Sequence, residues 1–367
     1  MIITMERTAS ENQIQAIVAH LTQSDLGAEL IRGVERTVIG VVGDRINEDL
    51  RTGLQAMAGV ENVVRITKSY KLGSREFHPT DTVVDVKGVK VGGGNPPVVM
   101  AGPCSVESEE QVIQTARAVK AAGAQVLRGG AFKPRTTPYA FRGLREEGLR
   151  LLEAAGEETG LPVITELMSE KDVDLVAQYS DILQIGTRNA QNFTLLDAVG
   201  ELDKPILLKR GFANSYDDWL NAAEYILAGG NRNVILCERG IRTFETYTRN
   251  TLDIAAIPVI HRLSHLPVIA DPSHGTGRWH LVAPMGVAAI AAGADGLLIE
   301  VHPHPDRALS DGPQSVTFEN FARLMEGVRA VSAVGAESRV PMHAQPAGAP
   351  HGEPAPGARR VAGPAGR

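Results

Sequence analysis

From Val98 onward, short apolar runs alternate with longer stretches in which apolar residues recur every three or four positions. The short runs have the length and the Val/Ile/Leu content of buried parallel strands, and longer stretches such as 109–123 have the spacing of amphipathic helices. Eight strand–helix pairs of this kind predict an α/β fold, a closed (β/α)8 TIM barrel over 97–334. A doubly wound open sheet is the alternative, but the repeat lacks a glycine-rich dinucleotide turn.

The first 72 residues follow a different pattern. Four short apolar runs and two helical stretches, 11–26 and 47–57, succeed one another in the order βαββαβ. This order is that of the ferredoxin-like motif. We therefore expect a small ferredoxin-like α+β domain over 1–72, ahead of the barrel.

The segments between and after these two domains have their own signatures. A linker and a hairpin are expected over 73–96, because residues 83–91 alternate apolar and polar side chains around Gly88. The C-terminal segment 335–367 is rich in Ala, Pro and Gly and has almost no large apolar residues, so we expect it to be disordered.

Composition excludes several classes of protein. A formal net charge of −6 argues against non-specific nucleic-acid binding, and two cysteines cannot form a disulfide framework. The N-terminus has no apolar stretch typical of a secretory signal. The apolar segment 281–301 contains Asp295 and Glu300, so we interpret it as helix, turn and strand and not as a membrane span. We expect a cytoplasmic protein without a membrane or nucleic-acid partner.

Four of the predicted strands end in a cation, which suggests an anion-binding site. The cations are Arg128, Arg188, Lys209 and Arg239, and Lys133 and Arg135 lie in the loop after the first of these strands. In a barrel of parallel strands the strand ends form one rim, where active sites lie. Arg and Lys suit phosphate and carboxylate groups. The alternative is that each cation marks only the point where the chain leaves the core.

A second set of side chains predicts a metal site. Cys104 follows strand 1, His274 follows strand 7, and Glu300 ends strand 8, with Asp311 in the next loop. Strand 8 pairs with strand 1 in a closed barrel, so these side chains would converge opposite the cations. Thiolate, imidazole and carboxylates together suit one divalent cation such as Mn²⁺, Fe²⁺, Co²⁺ or Zn²⁺. A buried core cysteine and ordinary turn residues are the alternative interpretation.

At these motifs the chain resembles the 3-deoxy-D-arabino-heptulosonate 7-phosphate (DAHP) synthases, in particular the short type with an N-terminal ferredoxin-like regulatory domain. The resemblance covers the chain from the first strand to about residue 333. Its motifs are AGPCS (101–105), RGGAFKPRT (128–136), IGTRNAQN (185–192), LLKRG (207–211), CERG (237–240), DPSHGTG (271–277) and IEVHP (299–303).

The resemblance implies a metal-dependent condensation of phosphoenolpyruvate with erythrose 4-phosphate and water, which releases phosphate. Family residues that match Cys104, His274, Glu300 and Asp311 hold the metal. The matches of Arg128, Lys133, Arg188, Lys209 and Arg239 bind phosphoenolpyruvate, and those of Arg135 and Thr136 receive the aldose phosphate. We hypothesise that Lys133 gives a proton to the new alkoxide and that Glu166, at the end of strand 3, orients the attacking water. A solvated strand end is the alternative for Glu166.

Three other functions remain open. An octulosonate 8-phosphate synthase would run the same reaction on a five-carbon aldose phosphate, but such enzymes carry Lys-Ala-Asn-Arg where residues 133–136 read Lys-Pro-Arg-Thr. A Schiff-base aldolase could use Lys209, although neighbouring cations favour charge binding. A metabolite-sensing barrel without activity is the third. By resemblance, the N-terminal domain could bind an aromatic amino acid, tyrosine or phenylalanine, and the chain could form homotetramers or dimers.

Overall fold

The N-terminal domain is a four-stranded antiparallel sheet with two helices. The computed structural model describes residues 1–32, 36–43, 47–64, 69–133, 139 and 141–338. The domain consists of β1 (Ile2–Met5), α1 (Glu11–Gln23), β2 (Gly27–Arg32), β3 (Thr37–Val42), α2 (Glu48–Gln55) and β4 (Val60–Val64). The strand order is β2-β3-β1-β4, with antiparallel neighbours throughout. This is the ferredoxin-like arrangement, as predicted.

Local chemistry accounts for these elements. The Ser10 side chain caps α1 and forms a reciprocal capping box with Gln13, which satisfies two backbone donors at the helix start. Ile17 and Leu21, four residues apart, place the apolar face of α1 on the sheet, where Ile3 and Ile39 are fully buried. The domain thus has a core of its own.

The segment after this domain binds tightly to the outside of the barrel. The carboxylate of Glu224 accepts hydrogen bonds from three successive backbone N–H groups, those of Lys71, Leu72 and Gly73, at 2.7 to 2.9 Å. Phe77 is buried against β3, where a Cβ on Gly40 would lie 1.3 Å from the phenyl ring. Only glycine permits this close approach between the linker and the N-terminal sheet.

A buried histidine makes a further contact with this segment. His265 Nε2 donates to the carbonyl of Leu72 at 2.8 Å, and its Nδ1 lies 2.6 Å from the hydroxyl of Thr82. The carbonyl can only accept, so the proton of the neutral ring sits on Nε2. Burial lowers the pKa of His265 to about 4, against the opposing effect of the Leu72 carbonyl. The ring is therefore neutral at pH 7.

The rest of the described chain forms a hairpin and a closed parallel barrel. The hairpin is β5 (Val83–Val86) and β6 (Val89–Gly92). The barrel elements are β7 (Val98–Gly102), α3 (Glu109–Ala122), β8 (Val126–Arg128), α4 (Glu146–Thr159), β9 (Val163–Leu167), α5 (Val173–Tyr179), β10 (Ile182–Ile185), α6 (Phe193–Gly200), β11 (Ile206–Lys209), α7 (Tyr216–Ala228), β12 (Val234–Glu238), α8 (Ala256–Leu263), β13 (Val268–Ala270), α9 (Pro272–Thr276), α10 (Trp279–Ala291), β14 (Gly296–Glu300) and α11 (Phe318–Ser338).

The last barrel strand pairs with the first and closes the sheet. β14 runs parallel to β7 over five residue pairs, from Gly296 opposite Val98 to Glu300 opposite Gly102. The complete order is β10-β11-β12-β13-β14-β7-β8-β9, which confirms the barrel and rules out the open sheet.

Apolar side chains of the hairpin fill the amino end of the barrel. Val84, Val86 and Val91 are buried and share one core cluster with inward-facing side chains such as Met100 and Ile235. Gly92 approaches the loop before β13 so closely that a Cβ there would lie 2.7 Å from Pro267. The hairpin therefore covers this end of the barrel.

The C-terminal boundary differs from the expectation. The last helix, α11, continues to Ser338, so residues 335–338 extend a helix instead of beginning the tail. The remainder of the expected disordered segment, 339–367, lies outside the described residues. The apolar segment 281–301 forms most of α10 and all of β14. Within the described ranges, no helix is both long and apolar enough to cross a membrane.

Candidate functional site

The described candidate residues all lie at the carboxyl end of the barrel. Arg128 ends β8, Lys209 ends β11 and Glu300 ends β14. The others are Cys104 just after β7, Glu166 within β9, Arg188 after β10, Arg239 after β12, His274 in α9, and Lys133 and Asp311 in loops. Two further candidates, Arg135 and Thr136, lie outside the described residues.

Three of the four predicted metal-binding side chains converge. The ligand atoms of Cys104, Glu300 and Asp311 lie within 4.8 Å of one another. The Cys104 sulfur is 3.5 Å from Asp311 Oδ2, and His274 Nε2 is 3.4 Å from Glu300 Oε1. The strand pairing explains the convergence, because β13, β14 and β7 are neighbours in the barrel.

Asp271 orients His274, and this role was missed in the sequence. Its buried carboxylate accepts from His274 Nδ1 at 2.7 Å and from the His274 backbone N–H at 2.9 Å. Lys209 Nζ lies 2.6 Å from the same carboxylate. Burial opposes ionisation, but His274 and Lys209 hold the pKa of Asp271 well below its usual value. The signal was present, since Asp271 follows a strand three residues before a candidate histidine ligand.

The hydrogen bond to Asp271 directs His274 toward the cluster. A carboxylate can only accept, so Nδ1 carries the proton and Nε2 is left as the free nitrogen that faces Glu300. Carboxylate–histidine pairs of this kind commonly orient metal ligands. The donor set of one thiol, one imidazole nitrogen and two carboxylates therefore fits a divalent transition metal.

Arg128 joins the anion-binding set to this cluster. Its Nη1 lies 2.9 Å from Glu300 Oε1 and donates to the carbonyl of Pro103. The expected separation, with cations on one arc of the rim and metal ligands on the other, was therefore wrong for Arg128. The physical reason is that β8 is the second neighbour of β14, within reach of a long guanidinium side chain.

The pKa values of the Cys104 thiol and the Glu300 carboxyl group are shifted in opposite directions. Burial works against ionisation of Glu300, but His274, Arg128 and Lys133 outweigh it and lower the pKa to about 2. Burial and the nearby Glu300 charge raise the pKa of Cys104 to about 12. A thiolate here thus requires an additional positive charge, as a bound metal would provide.

Arg188 and Arg239 keep their charges available. Their guanidinium carbons lie 5.8 and 4.9 Å from the ring centroid of Phe212. The guanidinium carbon of Arg242 lies 4.4 Å from the same centroid. Arg239 is buried, its Nε lacks a hydrogen-bond partner, and burial lowers its pKa to about 10. No described carboxylate forms an ion pair with Arg188 or Arg239. Arg188 is exposed and Arg239 is desolvated, and guanidinium groups without a carboxylate partner are suited to an anionic ligand.

Lys133 and Glu166 each lie against a glycine near the carboxyl end of the barrel. Lys133 is buried, and a Cβ on Gly130 would lie 2.6 Å from its Nζ. The Lys133 charge opposes the rise in the pKa of Cys104 and contributes to the low pKa of Glu300. Glu166 is partly exposed and lies against Gly186, where a Cβ would fall 1.9 Å from Oε1. Glycine at both positions leaves room for the functional side chains.

The surroundings of Lys209 and Cys237 bear on their roles. Lys209 forms a buried ion pair with Asp271, which favours a charged lysine over the neutral amine that a Schiff-base aldolase requires. Cys237 packs in the barrel interior among apolar side chains, and burial raises its pKa. It therefore has the surroundings of a core residue.

The fold and these side chains define a (β/α)8 enzyme with cations that lack a described carboxylate partner beside side chains suited to a divalent metal. Two family profiles match the chain: the DAHP synthetase I family over residues 77–333 and the DAHP synthase ferredoxin-like domain over residues 1–68.

Individual relatives agree with this assignment. A phospho-2-dehydro-3-deoxyheptonate aldolase of Thermotoga maritima is 50% identical over 329 residues, which covers 90% of this chain and 97% of that protein. The crystal structure of a Thermotoga maritima DAHP synthase covers 91% of this chain and 98% of its own, with 48% identity and a TM-score of 0.73. A 2-dehydro-3-deoxyphosphooctonate aldolase of Geobacter sulfurreducens is 31% identical and covers 68% of this chain and 98% of its own length.

The chain belongs to the DAHP synthetase I family. The prediction of a DAHP synthase, a transferase that forms a carbon–carbon bond, is confirmed, and the more distant octulosonate relatives disfavour the rival product.

Proposed function

We propose that the protein condenses phosphoenolpyruvate with D-erythrose 4-phosphate and water to give DAHP and inorganic phosphate, the first step of the shikimate pathway. One observation carries the proposal. Cations that lack a described carboxylate partner lie at the same end of the barrel as a thiol–carboxylate cluster. Phosphoenolpyruvate has a phosphate and a carboxylate, and the aldose brings a second phosphate. Several fixed cations are therefore needed.

The cations divide into two groups by their surroundings. Arg188, Arg239 and Lys133 lack a described ion-pair partner and would bind phosphoenolpyruvate directly, while Arg128 and Lys209 already neutralise Glu300 and Asp271. Arg128 and Lys209 would complete the phosphoenolpyruvate site by sharing their charge between protein and substrate. Arg135 and Thr136 are proposed to receive the phosphate of erythrose 4-phosphate, by resemblance of their motif alone.

Cys104, His274, Glu300 and Asp311 would hold one divalent ion, with Mn²⁺, Fe²⁺, Co²⁺ and Zn²⁺ as candidates. When bound, such an ion supplies Lewis-acid stabilisation of negative charge on the aldehyde oxygen. Two further residues position these ligands: Asp271 fixes the tautomer of His274, and Arg128 holds Glu300 in an ion pair.

Lys133 and Glu166 are proposed to move the protons. The methylene carbon of phosphoenolpyruvate bonds to the aldehyde carbon, and Lys133 donates a proton to the oxygen that gains charge. Glu166 orients the water that adds to the carbon bearing the phosphate ester and accepts a proton from it. In total, one carbon–carbon bond joins the two substrates and one carbon–oxygen bond joins water to the carbon that bears the phosphate. The tetrahedral species then breaks its carbon–oxygen bond to phosphate, and its hydroxyl loses a proton as the ketone of the product forms.

The test is phosphate release from phosphoenolpyruvate with four- and five-carbon aldose phosphates, with and without a chelator. We expect release with erythrose 4-phosphate, little with arabinose 5-phosphate, and loss with the chelator that is restored by added metal. A preference for the five-carbon substrate would refute the DAHP assignment. Near-normal turnover by Lys133→Met would refute the proton-donor role.

We propose in addition that the N-terminal domain binds tyrosine or phenylalanine as an effector, that the protein forms a homotetramer or dimer, and that it is cytoplasmic. The support is the ferredoxin-like domain, whose profile matches residues 1–68. Turnover measured with each aromatic amino acid, and sedimentation with and without it, tests the first two. Unchanged turnover with tyrosine, phenylalanine and tryptophan would exclude this form of regulation.

A further inference from the structure

Two residues outside the candidate ligand set connect its carboxylates. Gln314 is buried, three residues after Asp311, in the 3-10 turn 312–314. Its Nε2 donates to Glu300 Oε2 at 2.6 Å, and its Oε1 accepts from Arg249 Nη1 at 2.7 Å. The same Arg249 nitrogen lies 3.4 Å from Asp311 Oδ1. One guanidinium group thus reaches Asp311 directly and Glu300 through the amide of Gln314.

The chemistry of the partners determines how the Gln314 amide is oriented. The Glu300 carboxylate, in a buried ion pair with Arg128, can only accept, whereas a guanidinium can only donate. The amide nitrogen must therefore face Glu300 and the oxygen must face Arg249. In this orientation Gln314 holds Glu300 Oε2 while Arg128 holds Oε1.

The backbone around Arg249 fixes where its side chain begins. The Arg249 N–H donates to the carbonyl of Thr276 at 2.9 Å, the last residue of α9, the helix that also contains His274. The Arg249 stem lies against Gly277, where a Cβ would fall 2.4 Å from the Arg249 Cβ. Arg249 is thereby tied to the element that carries His274 as well as to Asp311 and Gln314.

The loop that carries Asp311 needs such a contact. Asp311 has a φ of 50°, in the left-handed region that non-glycine residues seldom adopt. Its backbone carbonyl accepts from the Gln314 N–H at 3.2 Å and from the Ser315 hydroxyl at 3.2 Å. Two carboxylates and a thiol at short range would repel one another once ionised, and the Arg249 charge reduces that repulsion.

We propose that Arg249 and Gln314 are positioning residues that preorganise Glu300 and Asp311 for a divalent metal. The inference rests on the metal site of the proposed function and adds to it residues that make no contact with the ion. Hydrogen-bonding partners of ligating carboxylates change metal affinity by roughly 10–100-fold when they are removed. A merely structural role would leave metal affinity unchanged in a folded variant.

The experiment measures Co²⁺ binding by chelator competition in Gln314→Leu, Arg249→Met and the double variant. Arg278→Met is the matched control, because Arg278 lines the same cleft of about 560 Å³ as Arg249 but contacts Tyr247 instead. We expect Gln314→Leu to weaken binding about 10–100-fold and Arg249→Met to weaken it roughly tenfold. The double variant should lose less than the product of the two, since the residues act as one unit. Arg278→Met should bind as the wild type does.

Two further measurements separate the possible failures. Thermal melting in chelator verifies that each variant is folded. If Gln314→Leu does not fold, Arg249→Met, a change at an exposed side chain, decides whether the inference holds. The thiolate-to-cobalt absorption band reports whether Cys104 is still a ligand. If the wild type binds no Co²⁺, the proposed metal site and the inference both fail. If the wild type binds Co²⁺ and Cys104→Ser does not, but Arg249→Met and Gln314→Leu bind normally, the inference alone is overturned.

Discussion

Replacing Asp271 by asparagine should loosen both the metal site and the barrel. Asp271 Oδ2 accepts from Lys209 Nζ at 2.6 Å and from His274 Nδ1 at 2.7 Å, and Oδ1 accepts from the His274 N–H. An asparagine has one accepting oxygen where the carboxylate has two. In either orientation its NH₂ group faces a donor, and Lys209 loses its counter-charge.

The size of the effect follows from these contacts. Removing one partner of a buried ion pair destabilises a protein by about 3–5 kcal/mol, because the other charge stays buried. Asp271 is fully buried and Lys209 nearly so, so we expect a loss in this range in the free energy of unfolding. The His274 ring also loses the charged acceptor that fixes its tautomer, and metal affinity should fall by roughly 10–100-fold.

The assays are urea unfolding in chelator and Co²⁺ binding by chelator competition. Asp253→Asn is the matched control, since that carboxylate accepts from Arg210 and Tyr216 at 2.9 and 2.8 Å and is partly exposed. The control should lose less stability and retain its metal affinity. Wild-type metal affinity in a folded Asp271→Asn protein would refute the view that this carboxylate orients His274.

Three other substitutions test separate parts of the structure. Gly186→Ala would place a Cβ 1.9 Å from Glu166 Oε1 and displace that flexible side chain, so turnover should fall about 10–100-fold with little change in melting temperature. Wild-type turnover would contradict a role for Glu166. Glu224→Gln should lower the free energy of unfolding by about 1–3 kcal/mol, measured in urea, because three N–H groups lose a charged acceptor. His265 has a pKa of 6.5 when unfolded and about 4 when folded, so its stabilising effect is lost as pH falls from 6.5 to 4. Wild type should lose about 3 kcal/mol more than His265→Gln over that interval, and equal losses would refute the assigned pKa.

Much of the fold follows from short-range pattern. Each barrel strand was evident as an apolar run of a few residues, and eight such runs can close only if β14 pairs with β7. That closure brings Cys104 near Glu300, although they are far apart in sequence.

What the sequence could not reveal depends on side-chain reach. Arg128 bonds to Glu300 across two strand spacings, and Gln314 turns inward from a loop to meet the same carboxylate. A hydrophobic period predicts which face of an element a residue lies on, but not which group the end of a long side chain contacts. Asp271 is an intermediate case, because its spacing from His274 was visible but its hydrogen bond was not.

The hairpin at the amino end of the barrel has a consequence for the binding of reactants and the release of products. Since Val84, Val86 and Val91 fill that end with apolar side chains, the hairpin blocks the amino end to polar metabolites in the part of the chain that the structure describes. Reactants and products would therefore share the carboxyl end of the barrel, so the sugar product and the liberated phosphate would leave before the next pair of reactants binds.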